Sequence, residues 1–280
     1  MFAQAYGDRP AFDRIWNWTQ AALYRPDTSL HVWRWRPNTP HVTDMNTATD
    51  GDLLIAWALV RAADQWHEPQ FLRYALKIFD DLAKSVVKFV NGRVLLLPGM
   101  QGFTQRNCVV INLSYYIFPA LQAAARIHST GPWENLIKDG VRLIENSLYG
   151  MWKLPPDWVA VQFSDDHTHI AKRWPPRFSY DAIRIPLYMV WGGVFSDPLK
   201  QNLDAFWQHW GIHAIPGWVD LPNGTRSPYN APAGFQAVAI ATDPKLAEKY
   251  KLPSVRGSGD YYSACLTMLA HIVSMENAHD

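Results

Sequence analysis

Two acidic groups at expected helix starts are the strongest candidates for chemistry in this 280-residue chain. In the first, Asp50 and Asp52 flank Gly51 where an apolar stripe of helical period predicts a helix over residues 50–66, with Asp50 as its N-cap. The positive end of a helix dipole favours ionised carboxylates at that position. Such carboxylates could stabilise an oxocarbenium-like charge, hold sugar hydroxyls or bind a divalent cation, or they could simply cap the helix.

The second group lies at the predicted junction of a loop with a helix over residues 180–192. Asp181 and Arg184 are three residues apart, so on a helix their side chains can pair. Tyr180 could hydrogen-bond a neighbouring carboxylate. A carboxylate held by such neighbours could act as a general base that activates water; the alternative is a helix start with a surface ion pair.

Aromatic residues form a third group of candidates. The chain has 14 Trp, 12 Tyr and 12 Phe, and flat aromatic faces can stack on the apolar faces of sugar rings. Trp33 and Trp35 lie in a polar loop ahead of the Asp50 motif, and Tyr115 lies at a polar–aromatic junction. Clustered exposed Trp often marks a ligand site. An aromatic-rich helical core, with these rings packed against helix ends, is the other interpretation.

Composition excludes several classes of function. The net charge is +1, which does not suggest a nucleic-acid partner, and no apolar run is long enough to cross a membrane. The pair His167 and His169 has no distant fourth ligand that could be placed, so neither a metal nor another cofactor is predicted.

Cys108 and Cys265 are expected to be free thiols rather than a disulfide. The N-terminus does not resemble a signal peptide, which taken alone favours the cytoplasm.

Helical periodicity predicts a single all-α domain over residues 1–280. The predicted helices cover residues 11–23, 50–66, 69–86, 113–128, 133–148, 180–192, 198–211, 233–250 and 259–276. Asn91-Gly92 between apolar residues predicts a short β-hairpin in a connecting loop. A ring of helix hairpins fits this count, but so does a solenoid or an irregular bundle.

Two longer segments resemble a known family. Residues 48–63 are closely similar to the signature of glycoside hydrolase family 8, and residues 179–184 to a second block of that family. Weaker similarity follows in family order from Met1 to near the C-terminus, including Pro156-Asp157-Trp158. The closest branch resembles the endo-β-1,4-glucanases encoded beside bacterial cellulose synthases.

The resemblance implies an (α/α)6 toroid that hydrolyses β-1,4-glucan with inversion. It implies that Asp181 is the general base and that Asp50 holds and distorts the sugar at the cleavage point. The substrate-binding residues that it implies are Trp33, Trp35, Tyr115, Tyr180 and Arg184. It also implies a periplasmic or secreted, monomeric protein whose partners are β-1,4-glucan and the cellulose synthase machinery.

The sequence departs from the family pattern at its start. The family's general-acid Glu stands in a segment that directly precedes the block matched by residues 1–5, so we expect the first helix, the start of the second helix and the acid to be missing. An internal Met of a longer reading frame is favoured over a fragment or a degenerate member. A chain without the acid is expected to bind glucan but cleave it slowly. The alternatives are a non-catalytic glucan-binding protein, or a family 8 hydrolase of chitosan, xylan or lichenan.

Overall fold

The structure is a computed structural model that describes residues 1–165 and 167–277. Helices dominate its secondary structure. The helices of this part of the chain are α1 (Phe2–Ala5), α2 (Arg9–Leu23), α3 (Thr49–Trp66), α4 (Pro69–Ser85), α5 (Phe118–Ile127), α6 (Trp133–Glu145), α7 (Arg184–Trp191), α8 (Asp197–Trp210), α9 (Ala233–Thr242), α10 (Pro244–Lys249) and α11 (Tyr261–Asn277). The strands are β1 (Val87–Val90), β2 (Arg93–Leu96), β3 (Cys108–Asn112), β4 (Trp158–Gln162), β5 (Thr168–Ile170), β6 (Arg177–Phe178) and β7 (Val219–Asp220). Within these residues, no helix is both long and apolar enough to cross a membrane.

The chain packs into two compact units. Within the described residues, unit 1 consists of residues 1–111, 115–139 and 162–165, and unit 2 of residues 112–114, 140–161 and 167–277. Each unit buries its own apolar core. The single domain expected from the sequence stays a prediction.

Helix α3 lies at the centre of unit 1. It packs against α4, α5 and α1, and it buries Leu53, Leu59 and other apolar side chains almost completely. Its last turn closes at His67, which takes the left-handed conformation, and Pro69 then opens α4 with a preset backbone angle. This tight corner connects α3 directly to α4, against which α3 packs.

Helices α7, α9 and α11 pack against one another in unit 2. Gly234 at the start of α9 permits the closest approach, because an added Cβ would lie 2.8 Å from the backbone oxygen of Ser263 in α11. The Ser263 hydroxyl accepts a hydrogen bond from the Gly234 N–H at 2.8 Å. The start of α7, which follows Asp181, is therefore set in a tightly packed helical group.

Short strands lie in the segments that connect the helices. The predicted hairpin is confirmed: β1 pairs antiparallel with β2 around Asn91 and Gly92, both of which have positive φ angles. Two further antiparallel pairs, β4 with β5 and β6 with β7, lie in unit 2.

Three predicted helices differ from those observed, two of them because of proline. The helix expected over 180–192 covers only Arg184–Trp191, since residues 180–183 form a turn. The helix expected over 113–128 begins only at Phe118, since Pro119 fits only the first turn of a helix. The helix expected over 233–250 is two helices, because Pro244 breaks the first and opens the second, whose start is capped by the Asp243 side chain. The cysteines Cys108 and Cys265 are free thiols, as expected.

Candidate active site

The Asp50 carboxylate lies in the first turn of α3, but it does not cap the helix. Helix α3 starts at Thr49 and its N-cap is Ala48, which corrects the predicted capping role of Asp50. The start of the helix is instead anchored by Thr49, whose hydroxyl donates a hydrogen bond to the Leu97 carbonyl oxygen at 2.7 Å. Asp50 is half-buried and accepts a hydrogen bond from the Gly51 N–H at 2.8 Å. Asp50 is thus a carboxylate in the first turn of α3 that does not serve as the N-cap.

Asp52, two residues on, points into the interior of unit 1. Its Oδ1 atom lies 2.7 Å from His31 Nδ1 and accepts the His31 backbone N–H at 3.0 Å. Burial raises the pKa of Asp52, an effect that its bonds to His31 oppose. His31 also lines a cavity of about 400 Å³, whose other walls include Trp16, Tyr74 and Asp81. Asp52 is therefore a structural link between the start of α3 and the loop that carries the candidate tryptophans.

The two candidate tryptophans differ in their surroundings. Trp33 is 48% exposed, its indole N–H donates to Asp44 at 2.9 Å, and the Arg34 guanidinium lies 4.6 Å from its ring centre. Trp35 is half-buried and stacks on His41, with ring centres 4.9 Å apart. Trp33 therefore offers an exposed ring that is oriented by its neighbours, whereas Trp35 belongs to a packed aromatic group.

Asp181 and Arg184 pair as the sequence predicts. Asp181 lies in the turn that precedes α7, and its Oδ1 accepts a hydrogen bond from Arg184 Nη2 at 2.6 Å. The same Arg184 nitrogen donates to the Ser114 hydroxyl at 2.8 Å. The Asp181 side chain remains 32% exposed. The carboxylate is thus oriented by a fixed cation and still reached by water.

The neighbouring tyrosines make different bonds from those expected. The phenol of Tyr180 is hydrogen-bonded to Tyr229 rather than to a carboxylate; burial and this bond raise the pKa of Tyr180. Tyr262 on α11 donates its phenolic O–H to the backbone carbonyl of Tyr180. Burial raises the pKa of Tyr262, so the phenol stays protonated and remains a donor. Tyr115, in unit 1, is half-buried at the end of a short 3-10 helix.

Asp157 is a site residue that spacing alone did not single out. Its Oδ1 accepts backbone N–H groups from Ser179 at 3.2 Å and from Ala182 at 2.8 Å, on either side of Asp181. Burial, together with the charge of Asp181, raises the pKa of Asp157 to about 7. The only sequence signal for it was the weak family similarity of Pro156-Asp157-Trp158.

Comparison with known proteins identifies the class. The sequence profile described as glycosyl hydrolases family 8 matches residues 1–276. The chain is 42% identical to a probable endoglucanase of Novacetimonas hansenii, covering 99% of this chain and 80% of that protein. It is 39% identical to an endoglucanase of Cellulomonas uda, covering 90% of this chain and 70% of that protein. The solved structure of the endo-beta-1,4-glucanase CMCax from Acetobacter xylinum superposes with a TM-score of 0.94 at 40% identity, covering 99% of this chain and 86% of that chain.

The chain therefore belongs to glycoside hydrolase family 8. It shares the all-α, (α/α)6 fold class of the solved endoglucanases, and it is a glycosidase of the endoglucanase, or cellulase, type. The fold class and the enzyme class implied by residues 48–63 and 179–184 are thus confirmed.

Proposed function

We propose that this protein hydrolyses β-1,4-glucan with inversion and that Asp181 is its general base. One observation carries the proposal: the Asp181 carboxylate is oriented by Arg184 at 2.6 Å yet is 32% exposed. A general base must be fixed in direction and must also reach a water molecule. Asp181 satisfies both requirements, and similarity to endoglucanases supplies the substrate class.

In this mechanism Asp181 removes a proton from a water molecule as the water oxygen attacks C1 of the sugar. The bond from C1 to the leaving glycosidic oxygen breaks on the opposite face, and a general acid protonates that oxygen. Arg184 orients Asp181, because its guanidinium is charged at all relevant pH values, donates to the carboxylate at 2.6 Å and is held by Ser114 as well. One water is consumed and the new reducing end has the inverted configuration.

The proposed substrate contacts follow the family resemblance. We assign Asp50 to holding and distorting the sugar at the cleavage point, since it is a half-buried carboxylate at a helix N-terminus. Trp33 is proposed as a stacking platform, supported by its 48% exposure and its oriented ring. Trp35, Tyr115 and Tyr180 are assigned to substrate binding by resemblance.

We assign the general acid to a Glu outside these 280 residues. Two of the five glutamates have other partners: Glu68 pairs with Arg9 at 3.5 Å, and Glu276 accepts from the Trp191 indole at 2.7 Å. The other three, Glu134, Glu145 and Glu248, lie on α6 and α10. Without the acid, loss of general-acid catalysis costs on the order of 10²–10⁴-fold in rate on unactivated glucan.

The test is reducing-end release from carboxymethyl cellulose by the chain and by Asp181→Asn, with cello-oligosaccharide binding measured in parallel. We expect Asp181→Asn to abolish hydrolysis and preserve binding. Proton NMR of the first product should show the α-anomer. Turnover unchanged by Asp181→Asn would refute the assignment of the base, and release of the β-anomer would refute inversion.

We further propose that the enzyme acts as a monomer beside the cellulose synthase machinery, in the periplasm or outside the cell. This proposal rests on the motif resemblance to endoglucanases encoded beside cellulose synthases. Deletion of the coding sequence should alter the amount or fibre structure of secreted cellulose. An unchanged product, or full recovery of the protein in the cytoplasmic fraction, would contradict the assignment.

A further inference from the structure

A second carboxylate holds the turn that presents Asp181. Asp157 comes directly before β4, and its Oδ1 accepts the backbone N–H groups of Ser179 and Ala182 at 3.2 and 2.8 Å. These two residues bracket Asp181 in the chain. The backbone N–H of Asp157 donates to the Arg177 carbonyl at 2.8 Å, so Asp157 is itself fixed. The position of the Asp181 backbone therefore depends on the side chain of Asp157, which precedes it by 24 residues in the sequence.

Two other contacts hold the same turn from different directions. Arg184 ties the Asp181 carboxylate to the Ser114 hydroxyl, which in turn donates to the fully buried Asn112 side chain at 2.7 Å. Tyr262 on α11 holds the Tyr180 carbonyl. The side chain of Asp181 is thus fixed by Arg184, whereas its backbone is fixed by Asp157 and Tyr262.

We propose that Asp157 is a positioning residue for catalysis by Asp181, an inference that rests on the proposed function of Asp181 as general base. The role rests on geometry: the Asp157 Oδ1 atom accepts the backbone N–H groups on both sides of Asp181. Its role is to hold the turn so that the Asp181 carboxylate meets water and sugar in one geometry. Misplacement of a catalytic group by about 1 Å can cost on the order of 10²-fold in rate.

The charges around the pair fit this division of roles. The groups near Asp181 in unit 2 include Asp157, Arg184 on α7 and the neutral phenol of Tyr262 on α11. Because burial and the Asp181 charge raise the pKa of Asp157 to about 7, Asp157 binds a proton below that pH. A neutral Asp157 still accepts the two backbone N–H groups through its carbonyl oxygen.

The test uses a substrate that does not need the general acid. Hydrolysis of β-cellotriosyl fluoride breaks the C1–F bond, forms a bond from C1 to water oxygen, and releases fluoride, which leaves without a proton; the water proton goes to Asp181. Fluoride release is followed with an electrode, after subtraction of the spontaneous rate. The variants are Asp181→Asn, Asp157→Ala, Asp157→Asn and Asp157→Glu, and the control is Asp197→Ala, an exposed acid in the first turn of α8.

We expect Asp181→Asn to lose at least 100-fold in kcat. Asp157→Ala should lose about 10- to 100-fold in kcat with a smaller change in KM, because the proposed sugar contacts Asp50 and Trp33 are not part of this turn. Asp157→Asn keeps an acceptor oxygen in place and should remain within about threefold. Asp157→Glu keeps the charge but moves the acceptor by one methylene, so it should behave like the Ala variant, and Asp197→Ala should match the wild type.

The outcomes separate the two levels of the proposal. No fluoride release above background by the wild-type chain, or an undiminished rate in Asp181→Asn, would overturn the proposed function. An inactive Asp181→Asn beside a fully active Asp157→Ala would overturn only the role of Asp157. If Asp157→Ala does not fold, the comparison of Asp157→Asn with Asp157→Glu decides: equal kcat values for these two variants would refute positioning by the acceptor oxygen.

Discussion

His31 and Asp52 are joined by two hydrogen bonds in the interior of unit 1. A single oxygen, Asp52 Oδ1, lies 2.7 Å from the His31 Nδ1 atom and 3.0 Å from the His31 backbone nitrogen. Both side chains are almost fully buried. The pair joins the first turn of α3, which carries Asp50, to the loop that carries Trp33, so the placement of both candidate substrate contacts depends on it.

Removal of this carboxylate should destabilise the protein strongly. Asp52→Ala leaves the His31 donors unpaired in the interior, which we expect to cost about 3 kcal/mol in the free energy of unfolding. Urea unfolding followed by tryptophan fluorescence measures the loss. The matched control is Asp64→Ala on the same helix, whose side chain is 74% exposed and which should change stability by less than about 0.5 kcal/mol. Equal effects of the two substitutions would contradict the structural role of the pair.

The raised pKa of Asp157 predicts a pH dependence of stability. In the unfolded chain this carboxyl titrates near its ordinary value of 3.8, whereas in the folded chain its pKa is about 7. Folding therefore takes up a proton between these values, and the contribution of Asp157 to stability, fully present below pH 4, is lost as pH rises through 7. Asp157→Asn removes this titration, so its stability relative to the wild type should rise by on the order of 4 kcal/mol from pH 4 to pH 8.

Urea unfolding at several pH values checks this expectation, with Asp197→Asn as the control. The control should run parallel to the wild type at every pH. A constant difference between Asp157→Asn and the wild type would show that Asp157 titrates at its ordinary pKa.

Trp33 should contribute to glucan binding through its exposed face. Burial of that face against a sugar at roughly 25 cal/mol per Å² gives about 2 kcal/mol, so Trp33→Ala should weaken binding of cellotetraose roughly 30-fold. Isothermal titration calorimetry measures the affinity. Phe89→Ala is the control, because Phe89 is 76% exposed on the β1–β2 hairpin of the same unit. Unaltered affinity in Trp33→Ala would remove this ring from the binding surface.

Two glycines should respond in opposite ways to alanine. At Gly234 the new methyl group would lie 2.8 Å from the Ser263 carbonyl oxygen and 2.9 Å from Leu266 Cβ, which should cost about 1–3 kcal/mol by forcing α9 from α11. At Gly51 nothing lies within 4 Å of the added atom, and alanine should stabilise α3 by about 0.5–1 kcal/mol. Thermal unfolding tests both, and a destabilising Gly51→Ala would indicate that the site itself needs the glycine.

The sequence by itself determined the local features of this protein. Asn91-Gly92 selects a hairpin turn because both residues tolerate positive φ. Asp181 pairs with Arg184, three residues on, across the short turn that leads into α7. The long motif over residues 48–63 indicated the family and with it the enzyme class. These features depend on neighbours within a few positions, which is the range over which backbone geometry is fixed by residue type.

Only the tertiary structure decided which distant groups support the site. Asp157 bonds the turn around Asp181, and His31 meets Asp52, across separations of more than 20 positions that no periodicity encodes. Ser114, which is held by Asn112, accepts a hydrogen bond from Arg184, 70 positions further along the chain. Such contacts form because packing removes these side chains from water, where each buried polar atom must find a partner wherever the fold places one.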